Sequence, residues 1–346
     1  MSDRQVIATE LLKGQGLGNQ LFCYVTTRCL AMQNHCEFAI LNREILANNI
    51  HSNKGMYFMD IDCGLDMKKE EFSEIYQEKE DRIYLGNSIH DIEHGCYISG
   101  ADEKLLNLNQ SILVYGNMQD EAYFGQYKEE IKQWLKVKPE FDNYEYSRDN
   151  LCIINIRGGE YTSNPELFLR RKYWLDAMKV MRQKRSDMEF MVITDDLSAA
   201  RRILPEVPAY HFDLAGDYTA IKNAKYLILS NSTFAFFPAY TSETVQYIIA
   251  PKYWARHNVS DGYWASEQNI YDEFIYMDRK GKLFTAAECR EELAAYKQSS
   301  NRYQKVGIKL SGIRLLTAKC HAKYLIYEDL FVRALRSVKR RISSNC

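Results

Sequence analysis

Three short segments each place a polar side chain straight after a run of apolar residues. In the first, Arg157 follows residues 151–156 and is itself followed by Gly158 and Gly159. Arginine stays charged at any physiological pH and offers a planar fork to phosphate oxygens. Two glycines after it let the backbone approach a ligand closely. In the second, Asp195-Asp196 follows residues 190–194. A paired aspartate there can hold a ribose, bind a metal or cap the next helix. In the third, Ser230-Asn231-Ser232-Thr233 follows residues 226–229 and leads into Phe234-Ala235-Phe236-Phe237. Hydroxyls and free N–H groups at such a helix start suit an anion. Together the segments have the chemistry of a diphosphate site. Each also has a plain alternative: a surface ion pair for Arg157, and simple capping for the other two.

Other constellations point to less. Asp60-Ile61-Asp62 has the Asp-x-Asp pattern of a metal site but reads as loop carboxylates. His90 and His94 stand four apart with no third ligand nearby in sequence, so they read as surface residues. The cysteines are nine in number, scattered, with no Cys-x-x-Cys pair. An odd, scattered set reads as free thiols in a reducing compartment and not as a zinc site. No resident metal or cofactor is among the expectations. Gly14, Gly16 and Gly18 hint at a dinucleotide fingerprint, but its third glycine would fall on Asn19. A dinucleotide-dependent oxidoreductase is therefore disfavoured.

Elements must bring these residues together. In the second half, apolar runs at 151–156, 190–194, 209–212, 226–229 and 247–250 read as strands. They alternate with helical segments at 172–184, 197–204, 218–223 and 233–240. Strands apolar at nearly every position suit a parallel sheet covered on both faces. The alternation suits a doubly wound domain, where ligands bind beyond the carboxyl ends of the strands. The first half opens with a strand at 6–12, a turn at 14–18, a helix carrying Leu21, Phe22, Val25, Cys29 and Met32, and a strand at 37–41. Residues 48–93 are polar and are expected to carry helices that build an acceptor site. A strand at 111–115 and a helix at 121–137 follow. The aperiodic stretch 139–150 is the expected boundary. The expected domains are thus 1–145 on the acceptor side, 146–287 for the donor, and a basic helical tail over 288–346.

Between 305 and 341 the tail carries Lys305, Lys309, Arg314, Lys319, Lys323, Arg333, Arg336, Lys339, Arg340 and Arg341 against Glu328 and Asp329. Apolar residues recur every three or four positions, which describes a basic amphipathic helix. It either lies on an anionic membrane or packs on the domain with its lysines solvated. The formal net charge of the whole chain is −1, so no nucleic-acid partner is expected. Residues 1–13 lack a signal-peptide pattern and no apolar run is long enough to span a bilayer. The expected location is the cytoplasm, with peripheral contact at the inner face of the cell membrane through the tail.

The strand-end segments, taken in order, resemble the α-1,2-fucosyltransferases of glycosyltransferase family 11. Gly16-Leu17-Gly18-Asn19-Gln20-Leu21-Phe22 is similar to the family's opening motif. Tyr115-Gly116-Asn117-Met118-Gln119, with Tyr123-Phe124 behind it, resembles its Gly-Tyr-x-Gln segment. Ile154-Asn155-Ile156-Arg157-Gly158-Gly159-Glu160-Tyr161 resembles Val-His-Ile-Arg-Arg-Gly-Asp-Tyr. Asp195-Asp196 resembles Ser-Asp-Asp, and Asp217 followed by Asn231-Ser232-Thr233-Phe234 resembles the last block. The resemblance covers about residues 5–251.

It implies a GT-B type α/β fold, two Rossmann-like domains facing a cleft, with the donor in the C-terminal half. It also implies inverting, metal-independent transfer of fucose from GDP-fucose to a hydroxyl of a glycan acceptor, lipid-linked or free, in surface polysaccharide or O-antigen synthesis. Arg157 matches the arginine that holds the β-phosphate and is the residue expected to carry catalysis. Asn231, Ser232 and Thr233 match phosphate contacts, and Asp195 matches the Asp pair. Asp217 matches an aspartate that binds guanine, with Asn155 near the base. Gly18, Asn19 and Gln20 match residues at the cleft. The sequence departs from the pattern at Asn155 for histidine, Gly158 for arginine, Glu160 for aspartate and Phe236-Phe237-Pro238 for Trp-Trp-Gly. These departures keep the phosphate grip and leave the sugar and acceptor open. The alternatives are another nucleotide-sugar donor on the same fold, or a non-catalytic nucleotide-sugar-binding scaffold. A base for the acceptor hydroxyl belongs to the first half, with Asp60, His51 and Glu44 as candidates.

Overall fold

The structure is a computed structural model, and it describes residues 5–46, 55–84, 89–97, 100–108, 110–164, 167–254, 257–258, 267–301, 303 and 307–343. The first half runs β1 (Val6–Glu10), α1 (Leu17–Gln33), β2 (Glu37–Leu41), β3 (Ile75–Gln77), β4 (Arg82–Ile83), α2 (Ile89–His94), β5 (Cys96–Tyr97), α3 (Glu103–Leu106), β6 (Ile112–Tyr115) and α4 (Lys128–Trp134). The second runs β7 (Leu151–Ile156), α5 (Arg171–Lys184), β8 (Glu189–Thr194), α6 (Leu197–Ile203), β9 (Ala209–Tyr210), α7 (Leu214–Lys222), β10 (Tyr226–Ile228), α8 (Phe236–Tyr240), β11 (Tyr247–Pro251), β12 (Ile275–Met277) and β13 (Leu283–Phe284). Helices α9 (Ala286–Ser299) and α10 (Gly312–Ser343) close the chain.

Two sheets result. The first has the order β2-β1-β6-β3 and is parallel throughout. The second has the order β13-β12-β11-β10-β7-β8-β9, parallel except for β13. From β9 through β8, β7, β10 and β11 to β12, this is the Rossmann order, in which the chain reverses direction between β7 and β10. The central strand β7 is buried at all its positions, as a run apolar at every position but Asn155 predicts. Two parallel sheets of this kind, joined where α1 packs on the segment 233–240, make the GT-B type architecture that the resemblance implies.

The joint between them is tight. Phe22 on α1 stacks on Phe236 at 4.7 Å and meets Phe237 at 4.8 Å. Phe124 and Tyr271 close the same cluster against Phe236. One hydrophobic core runs from Ile7 and Phe58 to Leu227 and Phe274, across both sheets. This explains why α1 is buried nearly all round, where its sequence suggested a single apolar face. Helix α9 belongs to the body: Cys289 and Leu293 are buried in this core, and Arg290 bonds Glu121 at 3.1 Å.

Several expected elements differ. The helix expected at 121–137 is two 3-10 turns, Glu121–Tyr123 and Gly125–Tyr127, before α4. Tyr123 and Phe124 are adjacent and both fully buried, which one face of a regular helix does not provide. Helix α7 begins four residues before the expected start, because the Asp213 side chain accepts from Gly216 N at 2.7 Å and caps it. The segment 233–240 is a 3-10 turn, Thr233–Ala235, followed by the five-residue α8. The described part of 48–93 is mostly irregular, with a 3-10 turn at Lys69–Glu71, two short strands and α2. Strands β12 and β13, too short to show a period, had no expectation attached.

Candidate active site

The reversal between β7 and β10 is where an open parallel sheet leaves a crevice. Ser230, just past β10, ties the two strand ends together. Its hydroxyl donates to Asn155 Oδ1 at 3.1 Å and accepts from Arg157 N at 3.2 Å. Beside this bridge lies an open cavity of about 120 Å³, lined by residues that include Asn155, Arg157, Asp195, His211, Asp217 and Ser232. The sequence-expected residues Asn155, Arg157, Asp195, Asp217 and Ser232 therefore come together from four separate strand ends.

Arg157 is partly exposed and reaches two carboxylates. Nη1 lies 2.7 Å from Asp195 Oδ2 and Nη2 lies 2.7 Å from Glu160 Oε1. Burial works against its charge, but Glu160 and Asp195 outweigh burial and raise its pKa. The two carboxylates are held differently. Asp195 also accepts from Gly158 N at 2.7 Å, which fixes it at the strand end. Glu160 is two-thirds exposed and sits three residues away on a 3-10 turn. A pair so open to water contributes little and yields readily to a stronger anion. Replacing Glu160 with Gln is therefore expected to tighten binding of a nucleoside diphosphate about threefold, read by calorimetry. Weaker binding would show that Glu160 helps hold the arginine in place.

Of the aspartate pair, Asp196 does the capping. Its Oδ1 accepts from Ala199 N at 2.9 Å, while Thr194 Oγ1 accepts from Asp196 N at 3.0 Å. That leaves Asp195 free to turn toward Arg157. Asn155 is buried, and both ends of its amide are used internally: Oδ1 accepts from Ser230 and Nδ2 donates to Ile193 O at 3.4 Å.

Asp217 is buried at the start of α7. Burial pushes its carboxyl above the usual range, against the pull of hydrogen bonds from Phe212 N and His211. Oδ1 accepts from Phe212 N at 2.9 Å and Oδ2 lies 2.7 Å from His211 Nδ1. The carboxylate thus orients an imidazole that lines the cavity. His211 stands just past β9, so the rule that ligands meet strand ends would have found it. The sequence reads this strand on through Phe212, two residues beyond its observed end, and so places His211 inside the strand.

The Ser-Asn-Ser-Thr segment divides its labour. Ser232 lines the cavity, and its hydroxyl makes no capping bond. Asn231 turns away: Nδ2 donates to Leu167 O at 3.1 Å, and its buried Oδ1 finds no partner among the described residues. Thr233 is not among the cavity-lining residues and instead meets Gly18. The expected long helix start is missing, because α8 is too short to build much of a macrodipole. Local N–H groups and the Ser232 hydroxyl are what remain to meet an anion.

On the other side of the joint, a Cβ on Gly18 would lie 2.2 Å from the Thr233 carbonyl carbon. Asn19 Oδ1 accepts from Gln119 Nε2 at 3.2 Å, and Gln20 Nε2 donates to Gln15 O at 2.7 Å. Gly18 thus meets the turn of the second half, while these bonds of Asn19 and Gln20 stay within the first. None of the three lines the cavity. The base candidates are otherwise engaged or out of view. Asp60 pairs with Lys138 at 3.1 Å, Glu44 is exposed on a 3-10 turn, and His51 lies outside the described residues. Asp62 pairs with Arg28 at 3.4 Å. The His90 and His94 rings pack 4.8 Å apart on α2.

Comparison with known proteins agrees with this geometry. An α-1,2-colitosyltransferase of Escherichia coli is 23% identical over 268 residues, covering 69% of this chain and 89% of that protein. Among solved structures, the NodZ α-1,6-fucosyltransferase soaked with GDP-fucose is 10% identical with a TM-score of 0.42, covering 74% of this chain and 98% of that one. Arabidopsis thaliana FUT1 in complex with GDP is 10% identical with a TM-score of 0.40, covering 71% and 70%. The family model of glycosyl transferase family 11 matches residues 18–278, well over half the sequence and every cavity residue named above, and the chain belongs to that family.

Proposed function

We propose that this glycosyltransferase moves a 6-deoxyhexose from a GDP-sugar to a hydroxyl of a glycan acceptor, free or lipid-linked, in surface polysaccharide or O-antigen assembly. Fucose is the first reading of the sugar. Colitose, which is fucose lacking one more hydroxyl, is the second, favoured by the similarity to a colitosyltransferase. The observation that carries the reading is one cavity at the sheet's reversal point that holds a cation, a free hydroxyl and a buried carboxylate.

Transfer requires the sugar–oxygen bond to the diphosphate to break, and charge then builds on the departing oxygens. Arg157 stands where a fixed cation would stabilise that charge, and Ser232 with the neighbouring N–H groups would add hydrogen bonds. With the positive charge supplied by a side chain, the leaving group needs no metal. An acceptor hydroxyl arriving opposite the diphosphate gives inversion at the anomeric carbon.

The base would meet Asp217 and His211. Guanine presents N1–H and N2–H side by side, and the carboxylate oxygens keep lone pairs beyond their bonds to Phe212 N and His211. Uracil and thymine lack such a donor pair. GDP is therefore expected to raise the melting temperature well above the shift given by UDP or TDP. His211→Ala is expected to weaken GDP about tenfold and to narrow its lead over UDP. Equal stabilisation by the three nucleotides would overturn the GDP assignment while leaving the diphosphate site standing.

A further inference from the structure

Among the described residues, helix α10 meets the body through its first turns. Its first turns lie on α2, where Ala318 and Ala322 are buried with Ile92, and Leu315 packs beside them. Lys319 reaches the Glu93 carboxylate at 3.5 Å. Ile313, Leu316, Tyr324, Tyr327, Phe331 and Leu335 recur at helical spacings, and every one is between 53% and 83% exposed. At 3.6 residues per turn they fall within about a third of the circumference, roughly opposite Ala318 and Ala322. The helix has 32 residues, which makes it about 48 Å long. The strip itself, from Ile313 to Leu335, is about 33 Å long and is unlike the scattered apolar side chains of an ordinary surface.

Charge indicates what covers it. The segment 312–343 holds eight Lys and Arg against two Asp and Glu, in a chain whose formal net charge is −1. A second copy of the chain would bring two such cationic helices together, and their repulsion opposes the pairing. An anionic lipid surface complements the same charge. Tyr324, Tyr327 and Phe331 also suit the boundary between headgroups and acyl chains, where an aromatic body is buried and a polar tip stays wet. Among the described residues no helix is long and apolar enough to cross a membrane, so a helix of this kind lies in the plane of the surface.

We infer that α10 is an interfacial helix that lays its Ile313-to-Leu335 strip into the surface of an anionic bilayer. The inference stands apart from the donor assignment, which nucleotide-induced stabilisation tests separately. The experiment is flotation of the full chain with vesicles of phosphatidylethanolamine and phosphatidylglycerol, against vesicles of phosphatidylcholine alone. The chain is expected to float with the first and stay behind with the second, and to bind less at high salt. Tyr327→Ser combined with Phe331→Ser keeps the charge and removes two exposed anchors. It is expected to cut anionic-vesicle binding about tenfold or more, with melting temperature and GDP-induced stabilisation unchanged. Wild-type chain that fails to float, or a double variant that floats as well as wild type, overturns the inference. So does a chain that ignores vesicles and sediments as a dimer which the double variant splits, since the strip would then belong to a second copy.

Discussion

Arg157→Ala is expected to lower kcat/KM for sugar transfer by about a thousandfold, with the protein still folded. The argument rests on what the guanidinium touches. Its partners are the partly exposed Asp195 and the largely exposed Glu160, so its loss leaves no carboxylate buried without a partner. Asp195 keeps its bond from Gly158 N. Stability should therefore change little, and the whole effect should appear in diphosphate binding and departure. Arg157→Lys separates charge from geometry: an ammonium keeps the cation but cannot span two oxygens with a planar fork. It is expected to recover part of the rate and remain about tenfold or more below wild type. Initial rates with GDP-fucose and GDP-colitose, beside melting curves with and without GDP, check all of this. An alanine variant that transfers sugar at the wild-type rate would place the diphosphate elsewhere and leave Arg157 as the surface ion pair of the plainer reading.

What the sequence showed and what it hid divide along a physical line. The central strands of the second sheet are covered on both faces, so they are written as largely apolar runs whose ends can be read to within a residue. Arg157, Asp195 and Ser232 follow such runs directly, which is why they could be named. His211 follows a two-residue edge strand that the sequence reads as running on to residue 212, because half-exposure blurs where it ends. Its pairing with Asp217 depends on how residues 211–217 fold around the Asp213 cap, and no periodicity encodes that. The side-chain directions of Asn155 and Asn231 were equally hidden. One is consumed by Ser230 and Ile193, and the other bonds the Leu167 carbonyl away from the cavity. In the tail, the sequence carried both the charge and the helical period, but it could not say which face docks on α2 and which is left bare.

Gly18→Ala is expected to destabilise the protein by about 3 kcal/mol, whereas Gly16→Ala, two residues earlier, is expected to be close to neutral. The two glycines look alike in sequence and differ in what surrounds them. A Cβ on Gly18 would sit 2.2 Å from the Thr233 carbonyl carbon and 2.4 Å from Phe234 N, both backbone atoms that cannot swing aside. Relief requires α1 to draw back from the Ser232–Phe234 turn, which opens the stacked contact of Phe22 on Phe236. A Cβ on Gly16 would meet nothing within 4 Å, and its φ of −64° is one that any residue adopts. Because the turn pressed by Gly18 also carries Ser232, the same substitution should weaken the donor complex, so KM for the GDP-sugar rises along with the loss of stability. Denaturant unfolding of both variants, with donor titrations on the folded fractions, separates the effects. Equal stability in the two would mean that α1 and the turn are not in contact. The glycines before α1, which hint at a dinucleotide fingerprint, thus have a different physical reason: one of them lets a helix of the first sheet rest on the backbone that shapes the donor cavity of the second.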